Sequence, residues 1–104
     1  MQYFKNYNYA KEILKNLISL TKKNILLCDV KDKSKLSTLK KNIQKRHGIS
    51  RSEYSKKYKN TPILGYTKSF FKKFEDKKIK IKFLITKPFF ADNNCSFDVK
   101  IEKK

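Results

Sequence analysis

The sequence predicts an α+β fold: a small basic domain of two or three helices, an extended basic segment and a C-terminal antiparallel β-hairpin. Three observations predict it. Apolar residues recur at helical spacing over roughly Tyr7 to Lys23 and, more thinly, at Leu36, Leu39 and Ile43. After Asp76 the period changes to two, and the only glycines, Gly48 and Gly65, punctuate the middle of the chain. With 104 residues there is room for one domain and a modest core. That domain divides into a helical N-terminal part (1–46), a central segment (47–74) and a hairpin (77–104) that reads as an extension.

In the first helix Ala10, Ile13, Leu14, Leu17 and Ile18 share a face, while Lys11, Lys15 and Asn16 point elsewhere. Lys22 and Lys23 sit at its end, where cations suit the helix dipole. Residues 24–30, NILLCDV, read equally well as a buried strand or as a helical extension. Asp32-Lys33-Ser34 offers an N-cap for a second helix running to about Arg46. Gly48 should end it as a left-handed cap, since glycine alone takes those dihedrals without a Cβ penalty. Ser50 and Glu53 have the spacing of a capping box, opening a short helix from 51 to about 59 that Asn60-Thr61-Pro62 stops. Gly65 marks a bend before the run YTKSFFKKF.

Ile79, Ile81, Phe83 and Ile85 then share one strand face, with Lys78, Lys80 and Lys82 opposite. Cys95, Phe97, Val99 and Ile101 repeat the pattern, and ADNN closes the loop between the two strands. An isolated hairpin is marginal in water, so its apolar face should lie on the helices. Lysines of its first strand should face Asp98 and Glu102 of its second.

Lysine and arginine number 27 against 9 acids, a formal charge of +18 with an isoelectric point near 10.0. So small a globule repels itself unless a polyanion neutralises it, and nucleic acid does so best because each phosphate contact releases counterions. A membrane surface is the competing anion. No apolar run is long enough to span a bilayer, no secretory h-region is present, and the bulky apolar residues are dispersed instead of gathered on one basic helix. An AT-rich genome accounts for lysine in place of arginine, but not for the scarcity of acids. The two arginines, Arg46 and Arg51, flank His47–Ser50, and their planar donor forks suit phosphate in a way lysine does not.

On the second helix Lys40, Lys41, Lys45 and Arg46 cover most of the surface outside the apolar stripe. A solvated charged face is the common explanation of such a pattern, but few acids lie nearby to pair with it, which favours phosphate. Tyr54, Tyr58, Tyr66, Phe70, Phe71 and Phe74 alternate with Lys56, Lys57, Lys59, Lys68, Lys72 and Lys73. Lysines reach phosphate and aromatic faces stack on unpaired bases. The phenylalanines read mainly as core; for Tyr54 and Tyr58, core and stacking are equal readings.

Catalysis has little to work with. His47 is the only imidazole, the acids are scattered, and neither glycine belongs to a phosphate-cradling motif. Cys28 and Cys95 lie far apart with no CxxC, so no metal is expected; free thiols and one disulfide are both compatible with the spacing. The expectation is a binder with no enzymatic activity, no cofactor, no metal, no small-molecule substrate and no membrane. The N-terminus lacks arginine and does not look like a cleavable presequence, so an organellar protein would be organelle-encoded.

Residues 48–71, GISRSEYSKKYKNTPILGYTKSFF, resemble the signature of the universal ribosomal small-subunit protein fourteen family. That signature runs Gly-Leu/Ile-Ser-Arg, a short amphipathic helix, an apolar residue before Gly, then Lys-Ser-Ser-Trp. Gly48, Ile49, Ser50 and Arg51 match its first element, Ile63, Leu64 and Gly65 its second, and Thr67, Lys68, Ser69, Phe70 and Phe71 its last. The chain differs in having no tryptophan, no upstream CxxC pair and a long continuation past Phe71.

The resemblance implies a structural constituent of the ribosome, in the head of the small subunit of an organelle (mitochondrial), bound to small-subunit ribosomal RNA beside other head proteins. Charge and resemblance together assign RNA contacts to Lys40, Lys41, Lys45, Arg46 and His47, then to Ser50, Arg51, Lys56, Lys57 and Lys59. Lys68, Ser69, Lys72 and Lys73 complete the set, with Gly48 and Gly65 as structural turns. The alternative is another basic nucleic-acid binder, such as a phage- or plasmid-encoded inhibitor of a nucleic-acid machine; a small basic nuclease or toxin is the weakest reading.

Overall fold

The structure is a computed structural model that describes residues 4, 6–59, 63–88 and 92–103. Its elements follow in the order α1 (Tyr7–Leu20), β1 (Asn24–Lys31), a 3-10 turn (Lys33–Lys35), α2 (Leu36–His47), α3 (Arg51–Lys57), α4 (Lys68–Lys72), β2 (Ile79–Ile85), a second 3-10 turn (Asn93–Cys95) and β3 (Ser96–Lys103). The fold is α+β, with four helices among the described residues and an antiparallel sheet in the order β1-β3-β2.

Residues 24–30 are therefore strand. β1 pairs with β3 from Asn24↔Glu102 to Lys31↔Ser96, interrupted by a bulge between Leu27 and Val30 where Asp29 has φ 56°. β2 pairs with the other edge of β3, from Ile79↔Lys103 to Ile85↔Phe97. The expected hairpin is present, and its second strand is the centre of the sheet: Phe97, Val99 and Ile101 are buried. What reads in sequence as an extension supplies the main core.

α1 and α4 cover one face of the sheet. Ala10, Leu14 and Ile18 of α1 pack with Phe71 of α4, Tyr66 and the inward residues Val30, Ile81, Phe97, Val99 and Ile101. A smaller cluster holds α2 to α3 and to the turn before β3, through Leu39, Ile43, Tyr54 and Cys95. The opposite sheet face carries the row Leu26, Lys100 and Lys82, of which Leu26 and Lys82 are exposed. Both cysteines are free, Cys28 exposed and Cys95 buried.

Several local expectations shift. α1 ends at Leu20, where Thr21 turns extended, so Lys22 and Lys23 lie past it. The cation at its C-terminus comes instead from β3: the Lys103 ammonium donates to the Ile18 carbonyl at 2.6 Å and the Thr21 carbonyl at 2.8 Å. Ile85 occupies the last register position of edge strand β2, outside the core cluster, and is 88% exposed. Glu102 pairs with Lys82 at 3.4 Å and Lys100 at 3.3 Å, and these ammonium hydrogen bonds, Lys100 foremost, hold its carboxyl below the usual range.

Asp98 does not face a lysine. It is 5% exposed and accepts hydrogen bonds from the Thr86 hydroxyl and the Asp29 N–H, both at 2.9 Å. The register sets it opposite Leu84 of β2, where no lysine stands, and the β1 bulge brings the Asp29 N–H to it. The expected helix stop at 60–62 lies outside the described residues.

Candidate nucleic-acid interface

The local signals around α2 and α3 act as their chemistry requires. Gly48 has φ 62° and ψ 34°, and its N–H reaches back to carbonyls of the last turn of α2. Two residues on, the Ser50 hydroxyl accepts the Glu53 N–H at 3.2 Å while the Glu53 carboxylate accepts the Ser50 N–H at 3.3 Å. The capping box is complete, and α3 starts in a fixed direction directly after the glycine turn.

Between the two helices lies a groove of about 650 Å3. Lys40 and Lys41 of α2 line it, facing Arg51, Tyr54 and Tyr58 from α3 and its C-cap, with Ile63 closing the apolar side. The rings of Tyr54 and Tyr58 lie 4.6 Å apart with planes 35° from parallel. Tyr54 is 6% exposed and belongs to the core; half-buried Tyr58 is the ring left with a surface, and Lys57 hangs 5.8 Å from its centroid. Among the described residues no ion pair engages Lys40, Lys41 or Arg51. The groove thus presents three unneutralised cations beside one partly open ring, an arrangement that takes phosphate and a stacked base.

The other expected contacts distribute around this centre. Lys45 and His47 are exposed at the end of α2, and Lys56, Lys57 and Lys59 are exposed on and just after α3. Arg46 is partly committed: its guanidinium donates to the Asp92 carboxylate at 2.8 Å, tying α2 to the turn before β3. Ser50 serves as a helix cap. Gly48 makes the turn already described, whereas Gly65 permits a close approach: a Cβ there would lie 2.8 Å from the Lys33 Cα. That closeness lets Tyr66 bridge to the end of β1, its N–H donating to the Lys31 carbonyl at 2.8 Å and its carbonyl accepting the Lys33 N–H at 3.0 Å.

Lys68 and Lys72 stand apart from the groove, their ammonium groups 5.6 and 5.8 Å from the Phe83 centroid. Lys72 also pairs with Glu75 at 3.3 Å. Ser69, whose hydroxyl shares a 2.8 Å hydrogen bond with that of Thr67, and Lys73 face α1 across a second groove. Lys11, Lys15 and Lys33 join them there. Sequence reading missed these three because they are distant in the chain; the only sequence signal was the outward position of Lys11 and Lys15 on α1.

No helix among the described residues is long and apolar enough to cross a membrane, and none of them form a cluster of three or more potential metal ligands. Comparison with protein-family models, curated proteins and solved structures finds no match.

Proposed function

We propose that the protein is an RNA-binding structural component of the small ribosomal subunit, seated in the head on small-subunit ribosomal RNA beside neighbouring head proteins, in a mitochondrion. It acts as a scaffold and not as a catalyst. The observation that carries the reading is the α2–α3 groove: Lys40, Lys41 and Arg51 converge without carboxylate partners among the described residues, in a chain of net charge +18. The ordered likeness of residues 48–71 to the ribosomal family supports the choice of assembly. Its first elements, the Gly48 turn and the Ser50 cap, are the devices that aim Arg51 into the groove. His47, the one imidazole, is exposed at a helix end with no carboxylate paired to it among the described residues, a poor setting for a general base.

Two measurements test the reading. The purified chain should bind structured RNA with log affinity falling against log salt at a slope steeper than about −3, since each neutralised phosphate contributes about −0.7 to −0.9. The tagged chain should also sediment in fixed ratio with small subunits. A shallow slope sinks RNA binding itself. A steep slope without cosedimentation would instead identify another basic nucleic-acid binder, such as an inhibitor of a nucleic-acid machine.

A further inference from the structure

The second groove, of about 430 Å3 between α1 and α4, combines a ring of ammonium groups with an aromatic floor. Phe70 and Phe74 are half-buried, their centroids 6.0 Å apart, and Tyr7 leans on Phe70 at 6.1 Å. Tyr7 is fixed in place because its hydroxyl donates to the Gly65 carbonyl at 2.6 Å, yet it remains 37% exposed. Around these rings stand Lys11 and Lys15 of α1, Lys33 and Lys73. Lys33 lies 5.7 Å from the Tyr7 centroid. No carboxylate lines the groove, and among the described residues only Lys15 has an acidic partner, Glu12 at 3.8 Å.

This pairing of features selects its ligand. Ammonium groups at the rim demand an anion, and a recessed ring floor demands a flat apolar surface above it. A bilayer is a poor fit, because surface binding needs bulky side chains that project, and Phe70 and Phe74 are half-buried in the groove. An acidic peptide satisfies the rim and leaves the floor unmatched. A nucleotide satisfies both, with phosphate outside and base inside. The groove shares no lining residue with the α2–α3 groove.

We propose that the α1–α4 groove holds an unpaired nucleotide of RNA, its base on Phe70 and Phe74 and its phosphates on Lys11, Lys33 and Lys73, while the α2–α3 groove grips a separate segment, so that one chain bridges two RNA strands. The proposal rests on the RNA-binding reading above. Lys15, already near Glu12, assists from the rim.

The test uses the full chain and a single-stranded oligoribonucleotide carrying a fluorescent adenine analogue. Two variants probe the groove: Lys11→Gln with Lys73→Gln, both exposed, and Phe74→Leu, which keeps apolar bulk and removes the ring; circular dichroism verifies their fold. Wild type should quench the analogue, and Phe74→Leu should quench it less, Tyr58 of the α2–α3 groove accounting for the remainder. The double lysine variant should flatten the salt slope by about 1.4 units, two phosphates at about 0.7 each on a single strand. Wild type should also bring two differently labelled RNAs within energy-transfer range, and the double lysine variant should not.

If wild type binds RNA while both variants quench, titrate and bridge as it does, the groove assignment is overturned and RNA binding stands. If wild type binds no RNA, both readings fall together. Displacement of the oligonucleotide from the groove by micromolar free adenosine monophosphate, or by polyglutamate, would reassign the groove and overturn the bridge.

Discussion

At Tyr66 folding and ionisation are coupled. Fully buried in the main core, its phenol is pushed up to about 12 from 10.0, first by burial and then by neighbouring Tyr7, whose ring stands edge-on at 5.6 Å. The folded state therefore favours the neutral phenol. That contribution is fully present below about pH 10 and is lost as pH rises toward 12, because the unfolded chain releases its proton first. It amounts to about 3 kcal/mol. Urea midpoints measured across this range should fall more steeply for wild type than for Tyr66→Phe, a comparison that separates this group from others titrating in the same window. Parallel profiles would show that Tyr66 does not couple to folding.

Junctions between elements depend on two glycines for different physical reasons, and substitution should separate them. At Gly48 a Cβ meets nothing within 4 Å, so Gly48→Ala carries only the left-handed penalty, about 1–2 kcal/mol. At Gly65 an alanine Cβ would press on the Lys33 backbone at 2.8 Å and on Leu36 at 2.9 Å. Backbone cannot rotate aside, and the bridge from Tyr66 to β1 must open, costing about 1–3 kcal/mol for the overpacking plus the strained hydrogen bonds. Chemical denaturation should rank Gly65→Ala below Gly48→Ala in stability; the reverse order would remove the close approach as the reason for Gly65. The contrast also marks what the sequence disclosed. Gly48, the Ser50–Glu53 box and the strand alternation are short-range codes, readable because the interacting groups are within a few residues. The Asp98–Thr86 contact, the Lys103 cap on α1 and the Arg46–Asp92 tie join residues far apart in the chain, where no local spacing announces them. The placement of 24–30 was undecided for the same reason, since its partner β3 lies some seventy positions later.

Across the whole molecule, +18 charges share a body of 47 × 27 × 19 Å. At low ionic strength the screening length, about 30 Å at 0.01 M, exceeds the two shorter dimensions, so cations on opposite faces repel one another through and around the protein. At about 0.15 M it contracts to about 8 Å and only neighbours interact. The melting temperature of the free chain should therefore climb between these conditions, by about 4–8 °C for each kcal/mol of repulsion relieved in a domain of this size. RNA should raise it further. A melting temperature indifferent to salt would mean that the surplus is already balanced within the fold. The candidate interface was legible in part at this scale: the surplus charge points to a polyanion as the expected partner, and Arg51 of the Gly48–Arg51 segment lines one of the grooves. The second groove was not legible, because α1 and α4 meet only after the sheet has brought residues 11 and 73 together.

The strand order has a consequence for how the chain is made. β1 and β2 do not pair with each other; each pairs with β3, which is synthesised after both. During translation neither edge of the sheet has a partner until nearly all of the described fold has been polymerised, and the α2–α3 cluster likewise lacks buried Cys95 until then. Both clusters therefore close only when β3 and the turn before it have emerged.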